Sequence, residues 1–270
     1  MLEPIVPGSR IAIYVKPGHP RGPELLEELA AWLTARGYKP QPASCGEGAS
    51  LAIVLGGDGS ILRAAPELAP AATPVLAVHL GTLGFLTDTA LEDLYPSLET
   101  VLAGRGVRRR LALLETRLER AGREVGRYPV LNEAVVGKSG LARLLTVEVT
   151  IAGEPVGDYR ADGVLVATPT GSTAYNLSAG GSVVHPQVAA LLVTPICPHA
   201  RVQRPLLVPA EAEVALTLLA GDPAHLTLDG QHGVPLEVGD RLVCRQSRDA
   251  LVCVSARAAS FYERVRTKLG

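Results

Sequence analysis

The sequence predicts two domains of different class: an α/β domain built on a parallel sheet covered by helices, then a domain of antiparallel strands forming two packed sheets. Three observations carry this prediction. The first hundred residues alternate buried-strand and helix patterns in the order βαβαβα. After Gly104 the rhythm changes to short alternating runs such as LLTVEVTIAG and EVALTLLAG, separated by Gly, Pro and Asp turns. A chain of 270 residues is also long enough for two separate cores. The expected divisions are 1–104, 105–255 and a helical segment over 256–270.

Residues 11–15 read as a short buried strand. After the loop 16–22, Pro23 opens a helix whose apolar face runs through Leu25, Leu26, Leu29, Trp32 and Leu33 and stops at Gly37. A second strand, 51–55, empties into Gly56, Gly57, Asp58 and Gly59, and a helix follows from Ser60 to about Leu68. A third strand, 75–80, ends at GTLGFLTD, and a last helix spans about 91–102. Ligands of such sheets gather at the carboxyl ends of the strands, where residues 56–59 and 81–84 both lie. Within the β domain, TAYNLSAGG reads as a single helical turn. FYERVRTKLG is too short to stand alone as a helix and must pack on something.

A formal net charge of −1 and 20% charged residues leave no basic excess, which argues against a nucleic-acid-binding surface. Cys45, Cys197, Cys244 and Cys253 form no C-x-x-C pair and are read as buried reduced thiols. The histidines at 79, 185, 199, 225 and 232 lack metal-ligand spacing, and no residue is assigned to a metal. No basic N-terminal segment leads into an apolar stretch, and no apolar run approaches the roughly 20 residues that span a bilayer. A soluble cytoplasmic protein without membrane contact is expected.

Asp58 is the odd residue in LAIVLGGDGSILR, because a strand-to-glycine-to-helix joint usually receives phosphate on bare N–H groups. It has three readings: a turn or helix-cap residue, a ligand for the Mg²⁺ of a nucleotide, or a base for a hydroxyl under phosphoryl attack. The second cluster is RADGVLVATPTGSTAYNLSAGG, where a strand over 164–167 ends in Thr168, Thr170, Ser172 and Thr173 around Gly171. Hydroxyls, free N–H groups and a helix start converge there, which suits a phosphate, a ribose or a base edge; routine hairpin turn chemistry is the alternative. Arg160 can supply a phosphate fork and Asp162 an acceptor for a hydroxyl or amine. Asn132 and Glu133 form a third candidate, able to hold two adjacent ribose hydroxyls, although such a pair taken alone is more often a solvated strand end. Arg204, and Asp229 with Gln231, are weaker signals. The P-loop, the dinucleotide G-x-G-x-x-G, the protein-kinase set and G-x-S-x-G are absent.

The stretches LGGDGSILRAA, HLGTLGFLTD, LNEAVV, DYRADGVLVATPTGSTAYNLSAGG, VTPICPH, RPLLVP and LDGQ resemble, in order, those of bacterial NAD kinases. GGDG alone is shared with lipid kinases and phosphofructokinases; followed by NE and DG-x-x-x-x-TPTGSTAY it is specific. The resemblance implies a Rossmann-like first domain, a β-sandwich second domain and a C-terminal segment returning to the first. It implies transfer of the γ-phosphoryl of ATP to the adenosine-ribose 2′-hydroxyl of NAD, and leaves open whether polyphosphate also serves as donor. Mg²⁺, or alternatively another divalent metal, would arrive with ATP, and the chain would assemble as a homodimer or homotetramer. Asp58 would be the catalytic carboxylate. Gly57, Gly59, Phe85, Asn132, Glu133, Arg160, Asp162, Thr170, Thr173, Ala174, Tyr175, Ser178 and Gln231 would contact NAD. Two other readings compete. A lipid or sugar kinase sharing GGDG would phosphorylate a non-nucleotide acceptor, and a non-catalytic NAD or NADP sensor would bind NADP tightly with weak turnover.

Overall fold

The computed structural model describes residues 2–42, 48–140, 143–199, 203–258 and 260–270. Cys45 and residues 200–202 of the CPHARVQRP segment lie outside them. The chain divides into two compact units, residues 1–111 with 249–270 and residues 112–248.

The first unit opens with β1 (Arg10–Val15), α1 (Gly22–Ala35), β2 (Lys39–Pro42), β3 (Leu51–Gly56), α2 (Asp58–Leu68), β4 (Val75–His79), the two-residue β5 (Thr89–Ala90) and α3 (Leu94–Leu102). The parallel strands stand in the order β4-β3-β1-β2, Ile11 opposite Leu51 and Ala52 opposite Val75. β3 is buried along its whole length and β4 in all but its last residue, as central parallel strands with both faces covered must be. One face carries Ile11, Ile13, Leu51, Ile53, Leu55, Leu76 and Val78, which pack with Leu25, Leu29 and Leu33 of α1 and Leu94, Leu98 and Val101 of α3. Spacings of three and four residues put each helical set on one stripe. Burying each leucine contributes about 2 kcal/mol.

Two local differences from the sequence expectation have simple causes. β2, where the sequence predicts no element, is a strand with the sequence KPQP. It lies on the outer edge beside β1, where prolines are tolerated because no further strand needs their missing N–H groups. α2 begins at Asp58 rather than Ser60, so the carboxylate belongs to the first helical residue and Gly57 is the N-cap.

The second unit contains most of β6 (Val107–Arg120), then β7 (Arg123–Val130), β8 (Glu133–Lys138), β9 (Leu145–Ile151), β10 (Glu154–Ala161), β11 (Gly163–Ala167), α4 (Tyr175–Ser178), β12 (Ala190–Ile196), β13 (Leu206–Pro209), β14 (Val214–Ala220), β15 (Ala224–Leu228), β16 (His232–Leu236) and the first half of β17 (Arg241–Ser255). One antiparallel sheet runs β13-β12-β11-β8-β15-β16. Another runs β10-β9-β14 and continues into residues 241–244 of β17. The sheets pack as a β-sandwich on Val136, Val147, Val149, Val164, Val166, Leu216 and Leu226. β8 and β11 are covered on their other face too, through Val135, Leu165, Ala167 and Val184. That double cover explains their uninterrupted apolar runs.

The second half of β17 lies parallel to β4, Cys253 opposite Val75, and α5 (Phe261–Leu269) follows. The divisions therefore fall at 111/112 and 248/249 rather than at 104/105 and 255/256. β6 and β17 are single unbroken strands that change units partway along, and no turn marks the change. Cys244 and Cys253 are buried free thiols, whereas Cys197 is free but exposed, with φ +47° in a bend after β12. Among the described residues no helix is long and apolar enough to cross a membrane.

Candidate functional site

The first cluster lies in the α/β unit. Asp58, at the carboxyl end of β3 and the start of α2, accepts the amide hydrogens of Phe85 (2.8 Å) and Leu86 (3.1 Å) on its two carboxylate oxygens. The loop presses so close that a Cβ on Gly84 would stand 1.9 Å from Asp58 Oδ1, a space only glycine leaves open. The Gly84 amide donates to Thr87 Oγ1 and shapes the turn. Arg264 of α5, 4% exposed, donates to the Phe85 carbonyl and pairs with Asp88. Asp88 also takes Arg109 at 3.1 Å. Burial pushes the Arg264 guanidinium below its usual pKa and the Asp58 carboxylate opposes the shift; the group remains charged.

The second cluster lies in the β-sandwich unit. The Asp229 carboxylate accepts three consecutive amides, Leu131 at 2.9 Å, Asn132 at 2.7 Å and Glu133 at 3.2 Å. It thereby fixes the corner between β7 and β8. Thr168 donates its hydroxyl to the Leu131 carbonyl and its amide to that of Asn132, tying the end of β11 to the same corner. The turn at 170–173 sits on that corner so tightly that a Cβ on Gly171 would come within 2.2 Å of the Asn132 carbonyl oxygen. Ser172 and Asn176 are fully buried: Ser172 exchanges hydrogen bonds with Val184, and Asn176 bonds the Ser172 and Ser182 carbonyls and the Thr194 hydroxyl.

Comparison with known proteins assigns both clusters to one family. The ATP-NAD kinase N-terminal domain model matches residues 38–106, and the ATP-NAD kinase C-terminal domain model matches residues 131–256. An NAD kinase of Koribacter versatilis is 43% identical over 96% of this chain and 97% of its own. The chain belongs to the NAD kinase family. Its activity is that of a phosphotransferase acting on NAD with ATP. NAD kinases of Acidobacterium capsulatum and Geobacter sulfurreducens are 40% and 38% identical at similar coverage. Among solved structures, yeast NADH kinase complexed with NADH matches with a TM-score of 0.86 at 27% identity, covering 97% of this chain and 87% of its own. An Archaeoglobus fulgidus NAD kinase in complex with ATP shares the fold, with a TM-score of 0.77 at 23% identity and 97% coverage of both chains.

The residues expected to contact NAD are distributed unevenly on this NAD kinase scaffold. Gly57, Asp58, Gly59 and Phe85 belong to the first cluster. In the second, Asn132 and Glu133 are buried, with 9% and 5% exposure. Thr170 is also buried, Thr173 and Ala174 are half-buried, and Tyr175 and Ser178 are exposed on α4. Asp162 pairs with Lys138 at 2.6 Å, half-buried. Arg160, on β10, and Gln231, in the turn after β15, are exposed.

The dense hydroxyl cluster divides in two. The Thr168 and Ser172 side chains turn inward and are used by the scaffold, which corrects their reading as part of a ligand-facing set. Asp229, read as a weak signal, holds the corner on which Asn132 and Glu133 stand. The sequence signal for it was only LDGQ, since its partners lie 96 to 98 residues away.

Burial, reinforced by the neighbouring Asp229 carboxylate and opposed by the Tyr175 amide, pushes the Glu133 carboxyl up to about 7. Burial raises Asp229 as well, against the pull of its three amides. With a folded pKa of about 7 and an ordinary value of 4.5, the folded state keeps a proton that the unfolded chain releases. Stability from Glu133 is therefore greatest below pH 4.5 and is lost as pH rises toward 7, by about 3 kcal/mol in all. In the ligand-free protein, Glu133→Gln is expected to raise the melting temperature at pH 8 and to leave it nearly unchanged near pH 5. Equal shifts at the two pH values would contradict this.

Proposed function

We propose that Asp58 is the catalytic carboxylate of NAD phosphorylation, orienting the adenosine-ribose 2′-hydroxyl and accepting its proton late as the γ-phosphoryl of ATP arrives. The observation that supports this most is the pair of amide hydrogen bonds from Phe85 and Leu86. A carboxylate has about four lone-pair directions, so two remain for a hydroxyl on a group whose orientation is already fixed. A carboxylate is a weak base toward an alcohol, so the main contribution of Asp58 is placing the nucleophile in line.

Among the described residues no group of three His, Cys, Asp or Glu could hold a metal ion. Mg²⁺ would enter as Mg·ATP, keeping waters and held chiefly by the substrate phosphates. Bound there, Mg²⁺ neutralises phosphate charge, and the chain's own residues bind and orient NAD.

In that reading Gly57 and Gly59 face phosphate through their backbone, with Phe85 beside them. Asn132 and Glu133 hold ribose hydroxyls or the nicotinamide side, and Asp162, Thr170, Thr173, Ala174, Tyr175 and Ser178 take the bases, with Arg160 and Gln231 at the periphery. The exposed α4 side chains and the half-buried Asp162 are accessible to such a ligand. Free thiols at Cys197, Cys244 and Cys253 fit a reducing cytoplasm. The family likeness supports a homodimer or homotetramer, which light scattering on the purified protein distinguishes. The test of function is incubation with Mg²⁺, ATP and NAD, with product detected by a dehydrogenase that reduces only NADP. NAD binding without any product would overturn the proposal.

A further inference from the structure

α5 carries a buried charge that the reading of Asp58 does not use. Arg264 is the one buried residue of a helix whose other residues are half-buried or exposed. Docking so short a helix needs only an apolar side chain, and a desolvated guanidinium is costly unless its donors are taken. Here one hydrogen bond and one ion pair go to a single segment. Arg264 donates to the Phe85 carbonyl and pairs with Asp88, whose other oxygen holds Arg109. The same segment presents its Phe85 and Leu86 amides to Asp58. Residues 85–88 are therefore gripped from two sides, by a carboxylate on the N–H side and by a guanidinium on the carbonyl side.

We infer that Arg264 is a positioning residue for phosphoryl transfer: by clamping residues 85–88 it fixes the two amides that orient the Asp58 carboxylate. The last helix of the chain thereby becomes part of the catalytic apparatus. This inference rests on the proposed role of Asp58. At 4% exposure Arg264 offers a substrate almost no surface. It acts through the direction in which Asp58 presents its free lone pairs, and a misplacement of about 1 Å at such a group costs on the order of 100-fold in rate.

The test compares wild type, Arg264→Met, Arg264→Lys and Asp58→Asn/Arg264→Met in NADP formation. NAD binding by calorimetry supplies the number of intact sites. Arg264→Met is expected to lower kcat per NAD-binding site by on the order of 100-fold, with the KM values for NAD and ATP nearly unchanged. Arg264→Lys keeps the charge but lacks the planar fork, so it recovers part of the loss. In the Asp58→Asn background the Arg264→Met change adds almost nothing, because the two act as a unit.

Unchanged kcat per intact site, or a raised KM with kcat intact, would overturn the inference and leave Arg264 as a docking contact. A further full loss in the double variant would overturn it equally, by showing that Arg264 acts apart from Asp58. If Arg264→Met fails to fold by circular dichroism, Arg264→Lys alone decides: a fall in kcat of about tenfold at constant KM supports the inference, and wild-type kcat refutes it. Wild type that forms no NADP at all refutes the role of Asp58 itself, a result separate from any of these.

Discussion

Asp58→Asn is expected to reduce NADP formation by on the order of 10²- to 10⁴-fold, the range lost when a positioned proton acceptor is removed. NAD binding should survive. Two effects combine in this variant. The amide loses the negative charge and half the acceptor capacity of the carboxylate, so no group remains to take the hydroxyl proton. It can also serve only one of the Phe85 and Leu86 amides, since its NH₂ faces the other donor. Coupled assay of NADP together with calorimetric titration of NAD separates lost chemistry from lost binding. Turnover near wild type would rule out the role assigned to Asp58.

Gly84→Ala should be nearly as damaging although it removes no functional group. The added methyl would lie 1.9 Å from Asp58 Oδ1 and within 2.5 Å of Oδ2, so either the loop backbone or the carboxylate must move. Movement of either breaks the alignment between Asp58 and its two amides. A kcat loss on the order of 100-fold is expected, with much smaller changes in KM. Gly81→Ala, in the same loop, meets nothing within 4 Å and should behave like wild type. Equal activities of the two variants would show that the packing of Gly84 on Asp58 is irrelevant to turnover.

The parts legible in the sequence were those whose signal is local. β1, β3 and β4 announced themselves because strands buried on both faces need unbroken apolar runs, and the helices because their leucines recur at three and four residues. GGDG, NE and TPTGSTAY identified the family through residue order. β2 was illegible because an edge strand containing two prolines has no apolar pattern, and only pairing with β1 makes it a strand. Arg264 was illegible, and Asp229 only a weak signal, for a related reason. Each acts on backbone about a hundred residues or more away, 96 to 98 for Asp229 and 179 from Arg264 to Phe85, and nothing beside either residue announces the distant partner. Thr168 and Ser172 misled because a hydroxyl in a Gly-rich turn reads the same whether it points to solvent or inward.

The path of β17 has a consequence for how the chain is made. Within the first unit, Val75 and Leu76 of β4 pair with Cys253 and Val254, residues translated some 180 positions later. A nascent chain carrying only the first hundred residues would therefore present an open strand edge on the ribosome, without the residues that later cover it, and unpaired strand edges recruit other chains. The sheet of the unit synthesised first is thus completed only by residues synthesised after the whole sandwich.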